Sequence, residues 1–266
     1  MQVIILNSAS QVAVHAALRV KSLIDEKPDS VLGLATGSTP IALYKQLVNL
    51  YRKGELSFAQ VKSFNLDEYF DIAPDNPQSY RYFMTKNLFK HIDIDHNNTY
   101  LPTCFIGQNP RVEAAAFEKN IQLAGGVDLQ ILGLGANGHI GFNEPTSSLG
   151  SRTRVKSLTP QTIKDNSRLF EQGEYQPDMA MTMGIATILD SRNLLLMATG
   201  LNKAKAVKQM ITGPLSAMCP ASALQMHRDA VVLLDREAAS ELDNTEYFSW
   251  VNEQNTRLNN EFGFYS

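Results

Sequence analysis

The stretch VLGLATGSTP, from Val31 to Pro40, places two different patterns side by side. Residues 31–35 form a continuous apolar run, which is typical of a strand covered on both faces. A turn of small and hydroxyl-bearing residues follows, and Pro40 suits the first position of a helix, where a backbone N–H would have no partner anyway. This order of buried strand, turn and helix predicts an α/β fold.

The same alternation continues on both sides of that stretch. Further short strands are predicted at 3–6, 61–66, 127–134, 194–199 and 230–234. Helices are predicted after a cap at Ser10, from Pro40 to about Lys53, and over 111–124 and 202–210. Strands that alternate with helices predict a doubly wound, Rossmann-like, mostly parallel sheet with helices on both faces. We interpret 1–266 as a single domain from which a polar stretch at 147–182 departs.

Composition narrows the class of protein. The chain has 266 residues, of which 44% are hydrophobic and 19% charged, so it can bury a sizeable core. A net charge of −3 gives no support to general nucleic-acid binding. No apolar run reaches membrane-spanning length and the first residues lack the basic start of a secretory signal, so we expect a cytoplasmic protein. Cys104 and Cys219 show no metal-ligand spacing and are interpreted as buried free thiols.

The turn from Thr36 to Thr39 is the first candidate site. Its hydroxyls and backbone N–H groups meet at a predicted helix start, where the helix dipole favours an anion. Small residues would let a phosphate approach the backbone closely. The same residues could instead form an ordinary N-cap turn in which Thr39 only caps the helix. On this segment alone, both interpretations stand.

The segment FNLDEY, from Phe64 to Tyr69, ends the third predicted strand. The carboxyl ends of parallel strands line the ligand crevice of such sheets. Asp67 and Glu68 are therefore candidates for a base that removes a proton beside a carbonyl group. The alternative is that Asp67 caps the next segment, which is the commoner role of an isolated aspartate.

The densest candidate is GLGANGHIGFNEP, from Gly133 to Pro145. A dinucleotide-binding pattern G-x-G-x-x-G begins at Gly133, but Gly141 and Pro145 oppose the helix that should follow it. His139 and Glu144 lie in a glycine-rich loop beyond a buried strand, where core packing requires neither of them. An imidazole that a carboxylate orients is a suitable proton carrier near neutral pH.

Single cations follow farther along the chain. Arg168 lies in the polar segment NSR, and Lys203 lies in the first turn of a predicted helix, where the dipole disfavours a cation unless an anion binds. The other histidines show no spacing that suggests a shared metal site. Met179, Met181 and Met183 alternate as in an extended strand and are interpreted as packing residues.

Taken in order, these segments resemble those of the glucosamine-6-phosphate deaminase family, and the resemblance runs from about Val31 to Asp235. The segments are LATGSTP at 34–40, SFNLDEY at 63–69, GLGANGHIGFNEP at 133–145, SRTR at 151–154, NSR at 166–168 and GLNK at 200–203. Any one of them could arise by chance, whereas all of them in this order form a specific signature.

The resemblance implies a reaction and the residues that perform it. Glucosamine 6-phosphate would be isomerised and deaminated to fructose 6-phosphate and ammonia, without a cofactor or a metal. Asp67 would be the base that moves a proton from C2 to C1, and His139 would assist ring opening, oriented by Glu144. Asn137 stands where some members of the family carry an aspartate that works with the histidine. The phosphate would be bound by Gly37, Ser38, Thr39, Arg168 and Lys203.

The resemblance also implies regulation and assembly. Longer bacterial members of the family are homohexamers that N-acetylglucosamine 6-phosphate activates. Their effector site matches Ser147, Arg154, Lys156 and, less closely, Tyr247 of this sequence. On the same analogy, residues from about 154 to 182 would form a lid over the active site.

Other functions stay open at this point. A galactosamine-6-phosphate deaminase would differ mainly in its contacts to the C4 hydroxyl of the sugar. A 6-phosphogluconolactonase would not be expected to carry FNLDEY together with FNEP. A non-catalytic regulator could keep the phosphate turn, but it would not need Asp67, His139 and Glu144. A nucleotide-dependent dehydrogenase would rest on the glycine pattern alone.

Overall fold

The computed structural model describes residues 1–159, 163 and 176–262. Its strands are β1 (Gln2–Leu6), β2 (Val31–Leu34), β3 (Lys62–Asn65), β4 (Asp67–Tyr69), β5 (Thr99–Tyr100), β6 (Leu129–Gly133), β7 (Arg154–Ser157), β8 (Met179–Thr182), β9 (Asn193–Ala198) and β10 (Ala230–Asp235). Its α-helices are α1 (Ala9–Glu26), α2 (Ser38–Arg52), α3 (Tyr80–Asn87), α4 (Pro110–Leu123), α5 (Ile185–Leu189), α6 (Ala204–Thr212) and α7 (Thr245–Phe262).

The larger sheet has seven strands in the order β1-β10-β9-β6-β2-β3-β5. All neighbouring strands in it run parallel. The chain moves outward from β2 through β3 to β5, and then returns to build the other half from β6 onward. The strand order therefore reverses between β2 and β6, which is where ligands bind in doubly wound sheets. The predicted mostly parallel α/β fold is confirmed.

Helices cover both faces of this sheet. One apolar cluster joins α1 and α2 to the sheet through Val20, Leu43 and Leu47, whose exposed fractions are 0%. The other joins α4 and α6 to the opposite face, with Phe117 and Val207 among its members. Burial on both faces explains why β2, β6 and β9 are mostly apolar in the sequence.

The cap predicted at Ser10 is wrong. Helix α1 begins at Ala9, and the hydroxyl of Ser8 accepts the N–H of Gln11 at 3.3 Å. Ser8 and Ser10 are both good N-cap residues, so the sequence does not decide at which of the two the helix begins. By contrast, the two cysteines are buried free thiols, as predicted.

A smaller antiparallel sheet, in the order β4-β8-β7, lies beside the larger one. Strands β7 and β8 lie at the two ends of the polar stretch that departs from the domain, and β8 is the central strand. Met179 and Met181 lie in β8 and Met183 follows it directly, as the predicted extended segment requires. Asp67, Thr182 and Arg154 stand in one row across the three strands. Of the lid predicted at about 154–182, residues 160–162 and 164–175 lie outside the described residues.

Candidate active site

A cavity of about 880 Å³ lies at the carboxyl ends of β2, β6 and β9. It therefore occupies the point at which the strand order reverses. The sequence-predicted residues that line it are Gly37, Ser38, Thr39, Asp67, His139 and Lys203. Residues from four separate segments of the chain are thus brought to one cavity.

One end of the cavity is the first turn of α2. Gly37 is the N-cap and has a φ of +100°, a conformation that favours glycine. No side chain of the described residues caps this helix, so the interpretation of Thr39 as an ordinary cap is wrong. Pro40 adds no N–H of its own. The turn therefore presents backbone donors and the positive end of a helix dipole to the cavity, together with Lys203.

The loop that carries Lys203 is held by a buried carboxylate. Asp235, at the end of β10, accepts the N–H of Gly200 at 3.0 and 3.1 Å and that of Ala238 at 2.8 Å. Gly200 has a φ of +88°, and a short 3-10 turn from Leu201 to Lys203 precedes α6. The other predicted phosphate ligand, Arg168, lies outside the described residues.

Asp67 and Glu68 are adjacent carboxyls with different surroundings. Asp67 lines the cavity and is 6% exposed. Burial and the neighbouring charge of Glu68 raise the pKa of Asp67 to about 8, opposed by a backbone hydrogen bond from Phe142. Glu68 is 2% exposed and accepts three backbone N–H groups, so its oxygens are committed to structure. Of the two carboxyls, Asp67 is the one that can meet a ligand.

His139 belongs to a hydrogen-bonded relay with Asn137 and Glu144. The Oδ1 of Asn137 lies 2.7 Å from the Nδ1 of His139, and its Nδ2 donates to Oε2 of Glu144 at 2.7 Å. Because a carboxylate only accepts, the amide must donate to Glu144 and accept from the imidazole. Nδ1 therefore carries a proton, and Nε2 is the nitrogen that can exchange one with a ligand. Glu144 also lies 3.4 Å from Nδ1 and is 4% exposed.

The glycines of this loop serve the histidine rather than a nucleotide. A Cβ on Gly135 would strike the ring of His139, and one on Gly138, whose φ is +83°, would fall 2.7 Å from Sγ of Cys219. The backbone after β6 continues as turns instead of the helix that a dinucleotide site requires. The glycine pattern is thus explained by the close packing of this loop.

Asn143 fastens the same loop to the smaller sheet. Its side chain is fully buried, and its Nδ2 donates to the carbonyls of Ile140 and Met183 at 2.9 and 2.8 Å. Its Oδ1 accepts from Arg154 on β7 at 2.8 Å. Thr182 adds a further tie, because its hydroxyl accepts the N–H of Phe142 at 3.1 Å. Neither Asn143 nor Thr182 was predicted from the sequence to have a role in the site.

The predicted effector residues are only partly brought together. Arg154 and Lys156 lie on β7, and Ser147 follows the loop that Arg154 contacts. The hydroxyl of Ser147 is buried without a hydrogen-bond partner among the described residues. Tyr247 lies on α7, which packs against β1 at the edge of the larger sheet, and its ring stacks on that of Trp250. No hydrogen bond, ion pair or ring contact within the described part of the chain joins Tyr247 to the other three.

The described residues contain neither a metal-binding cluster nor a membrane-spanning helix. Among residues 1–159, 163 and 176–262, no group of three or more histidine, cysteine, aspartate or glutamate side chains is arranged to hold a metal ion. No helix in the same residues combines the length and apolarity needed to span a bilayer.

Known proteins are similar to this chain in sequence along nearly its whole length. A family described as glucosamine-6-phosphate isomerases/6-phosphogluconolactonase matches residues 7–233. A glucosamine-6-phosphate deaminase from Colwellia psychrerythraea is 64% identical over 265 residues, which is 100% of this chain and 99% of the relative. One from Pseudoalteromonas translucida is 59% identical over 265 residues, with the same coverage of both chains.

Solved structures extend the comparison. A monomeric glucosamine-6-phosphate deaminase is similar at 42% identity with a TM-score of 0.87, covering 91% of this chain and 100% of that one. A 6-phosphogluconolactonase from Trypanosoma cruzi, at 20% identity and a TM-score of 0.72, covers 91% of this chain and 96% of its own and shares the fold. The chain therefore belongs to the family of glucosamine-6-phosphate isomerases and 6-phosphogluconolactonases.

Proposed function

We propose that the protein converts glucosamine 6-phosphate and water into fructose 6-phosphate and ammonia. One observation carries the proposal: a single cavity holds an anion-binding helix end at one side and Asp67 with the His139 relay at the other. This arrangement suits a substrate with a phosphate at one end and a hemiacetal at the other. The deaminase names of the relatives at 64% and 59% identity support the same reaction.

Phosphate binding would orient the substrate. The N–H groups of Gly37, Ser38 and Thr39 and the ammonium of Lys203 would hold the phosphate by charge-assisted hydrogen bonds. Arg168 would add a second cation. The phosphate contacts are remote from the bonds that change, so they would supply binding energy that fixes the reacting end.

Ring opening and isomerisation would follow as two proton transfers. His139, through Nε2, would accept the proton of the C1 hydroxyl and return it to the ring oxygen, which opens the hemiacetal. The Nδ1–H bond to Asn137 keeps the imidazole in the tautomer that this transfer needs. Asp67 would then remove the proton from C2, and the C1 carbonyl would take up the electron pair to give an enolamine without a cofactor. Delivery of the proton to C1 would complete the isomerisation.

Ammonia would leave in the last step. Isomerisation turns the C2 amine into an imine, water adds to the imine carbon, and the resulting carbinolamine releases ammonia as the C2 ketone forms. Asn137 replaces a carboxylate that some relatives carry, and its amide still connects Glu144 to His139 at 2.7 Å on each side. Asparagine therefore preserves the relay's hydrogen bonds without adding a second negative charge.

We also propose activation by N-acetylglucosamine 6-phosphate at a site that includes Ser147, Arg154 and Lys156. Two observations support it: the buried hydroxyl of Ser147 has no partner among the described residues, and Arg154 contacts the catalytic loop at Asn143. A phosphate that binds Arg154 would act on that loop directly. Tyr247 could join this site only through another subunit or a movement of α7.

The organisation of the protein is part of the same proposal. We propose one α/β domain over 1–266 with a lid at about 154–182, a homohexamer, and a cytoplasmic location. The solved relative at 42% identity is described as monomeric. Sedimentation velocity would therefore decide the assembly, and a monomer that still responds to the effector would contradict the link between hexamer and regulation.

The decisive assay is ammonia release from glucosamine 6-phosphate, with galactosamine 6-phosphate as the competing substrate. The proposal predicts release from the glucosamine compound, and a sigmoidal rate curve that the effector makes hyperbolic. Preference for the galactosamine compound would reassign the substrate. Tight binding of both sugars without ammonia would instead indicate a regulator that binds sugar phosphates.

A further inference from the structure

Strand β4 sends its two adjacent carboxyls to opposite faces. Successive side chains of a strand alternate in direction, so Asp67 and Glu68 cannot share one environment. Asp67 lines the cavity, whereas Glu68 is turned to the start of α3. The proposed reaction uses the first carboxyl and leaves the second without a role.

The carboxylate of Glu68 closes the first turn of α3. Its Oε1 accepts the N–H of Tyr80 and that of Tyr69, each at 2.9 Å, and its Oε2 accepts the N–H of Arg81 at 2.9 Å. The hydroxyl of Ser79 accepts a further first-turn N–H. Two of the donors that every helix start leaves unpaired are thus satisfied by a residue from a distant strand. The negative charge also lies at the positive end of the helix dipole.

The hydrogen bonds between Glu68 and α3 hold a helix that forms part of the cavity wall. Tyr80, the first residue of α3, lines the cavity, and its ring stacks on that of Phe142 with centroids 6.0 Å apart and an interplanar angle of 9°. Phe142 belongs to the loop that carries His139, and its backbone N–H faces Asp67. Glu68 is therefore connected, through the first turn of α3 and the ring of Tyr80, to the loop that carries His139.

We propose that Glu68 is a positioning residue, whose carboxylate ties β4 to the first turn of α3 and so holds Asp67 and Tyr80 in the geometry that proton transfer at C2 requires. The inference rests on the proposed function, because it assigns Asp67 as the base. Glu68 itself does not touch the substrate. Its effect is exerted through the backbone of α3 and through its charge beside Asp67.

The charge of Glu68 has a separate, measurable consequence. A like charge at the next residue makes ionisation of Asp67 less favourable and raises its pKa. Removing that charge should let Asp67 ionise at lower pH. The other charged or titratable groups around Asp67 are Tyr69 on β4, Tyr80 and Arg81 on α3, His139 and Glu144 in the loop, and Arg154 in the same row of the smaller sheet.

Two substitutions separate the effect of the hydrogen bonds between Glu68 and α3 from the effect of its negative charge on Asp67. Glu68→Gln keeps the shape but removes the charge and presents an amide donor to one of the backbone N–H groups. Glu68→Asp keeps the charge and draws the oxygens back toward β4. In both variants we expect kcat for ammonia release to fall by roughly tenfold to a hundredfold, with KM changed by less than about threefold, since misplacement of a reacting group by about 1 Å suffices for such a loss.

The pH profile distinguishes positioning from stability alone. In Glu68→Gln the acid limb of kcat/KM should move to lower pH, whereas in Glu68→Asp it should stay where it is in the parent. Hydrogen exchange at the amides of Tyr80 and Arg81 should quicken in both variants. Asp128→Asn is the matched control: Asp128 is a buried carboxylate, 3% exposed, that accepts the N–H of Val31 at 2.7 Å at the opposite end of β6. It should lower the melting temperature without moving the acid limb.

Each outcome bears on a different claim. Ammonia release by Glu68→Gln with a parental kcat and acid limb would overturn the positioning role and leave the proposed function intact. If Glu68→Gln does not fold, parental kcat and parental amide exchange in Glu68→Asp would overturn it equally. A parent enzyme that releases no ammonia would instead overturn the proposed function, while the amide exchange of the variants would still report whether Glu68 holds α3.

Discussion

Replacement of Gly135 by alanine tests the histidine relay through a single methyl group. The φ of Gly135 is not in the left-handed region, so the backbone itself tolerates alanine. The added Cβ, however, would lie 2.3 Å from the nearest atoms of the His139 ring. Ordinary van der Waals contact begins at 3.4 Å, so the Cβ would be about 1 Å too close. Because the three nearest atoms to this Cβ all belong to the His139 ring, the ring is the part that must move.

The displacement is large compared with the bonds that the ring makes. Nδ1 lies 2.7 Å from Asn137 and 3.4 Å from Glu144, and a shift of about 1 Å carries the first of these beyond ordinary hydrogen-bond distance. A catalytic group misplaced by that amount can cost about a hundredfold in rate. We therefore expect kcat to fall by about a hundredfold, which corresponds to about 2.7 kcal/mol in the barrier.

Steady-state ammonia release from glucosamine 6-phosphate measures this loss. KM should change little, because the phosphate end of the cavity is untouched. Gly150→Ala, at an exposed glycine whose Cβ would meet only Ser148 at 3.8 Å, is the matched control and should retain the parental rate. A Gly135→Ala enzyme with kcat within about threefold of the parent would refute the assignment of His139 as the ring-opening residue.

Three further variants test other parts of the site. Asp67→Asn should lower kcat by roughly a thousandfold through loss of the base. Burial raises the pKa of Asp67 from 3.8 to about 8, so ionisation of this carboxyl destabilises the folded parent as pH rises between those values. The melting temperature of the variant should therefore increasingly exceed that of the parent as pH rises. Lys203→Met should raise KM by roughly tenfold or more through loss of a charge-assisted bond to phosphate. Asp235→Asn, which weakens the hold on Gly200, should raise KM by about fivefold.

Calorimetry and initial rates at several pH values check these expectations. An Asp67→Asn protein with parental turnover would remove the base from the account, and one whose melting temperature falls with rising pH relative to the parent would contradict the sign of the linkage. A parental KM in Lys203→Met would place the phosphate elsewhere. If Asp235→Asn altered kcat alone, its loop would serve the chemistry rather than phosphate binding.

The central strands could be predicted from the sequence because both of their faces are buried. β2 is a continuous apolar run and β6, β9 and β10 are mostly apolar, and each was expected within one or two residues of its observed bounds. β4, β5 and β7 were not predicted, since they are short and partly polar. Their pairing is set by contacts with distant residues, and such contacts leave no local pattern.

Three helices were not predicted, namely α3, α7 and α5, which has only five residues. α3 follows a long polar turn, and the carboxylate that caps its first turn comes from β4, twelve positions upstream of Tyr80. α7 carries exposed Trp250 and Tyr247, so its apolar spacing does not separate a buried face from a solvent face. Ser79 is a local N-cap of α3, but the hydrogen bonds that Glu68 adds cannot be recognised from the residues that flank the helix.

Three residues that line the cavity could be predicted from the sequence, because both the residue type and its position in the predicted fold pointed to a ligand. Asp67, His139 and Lys203 could be predicted because each departs from what packing or helix electrostatics favours at its place in the chain. Glu68, Asn143 and Tyr80 could not, because their roles depend on side chains and backbone groups that only the tertiary structure brings near. The signal for Glu68 was present as one of two adjacent carboxyls, but sequence does not tell which of them faces a ligand.

The most direct test follows the hydrogen at C2. Glucosamine 6-phosphate carrying deuterium at C2 would be incubated with the enzyme and the products observed by NMR. The account predicts one ammonia for each fructose 6-phosphate, with the deuterium transferred to C1 or lost to water, and neither product from Asp67→Asn. Ammonia accompanied by a sugar phosphate that keeps deuterium at C2 would mean direct displacement of the amine, and it would contradict isomerisation by Asp67.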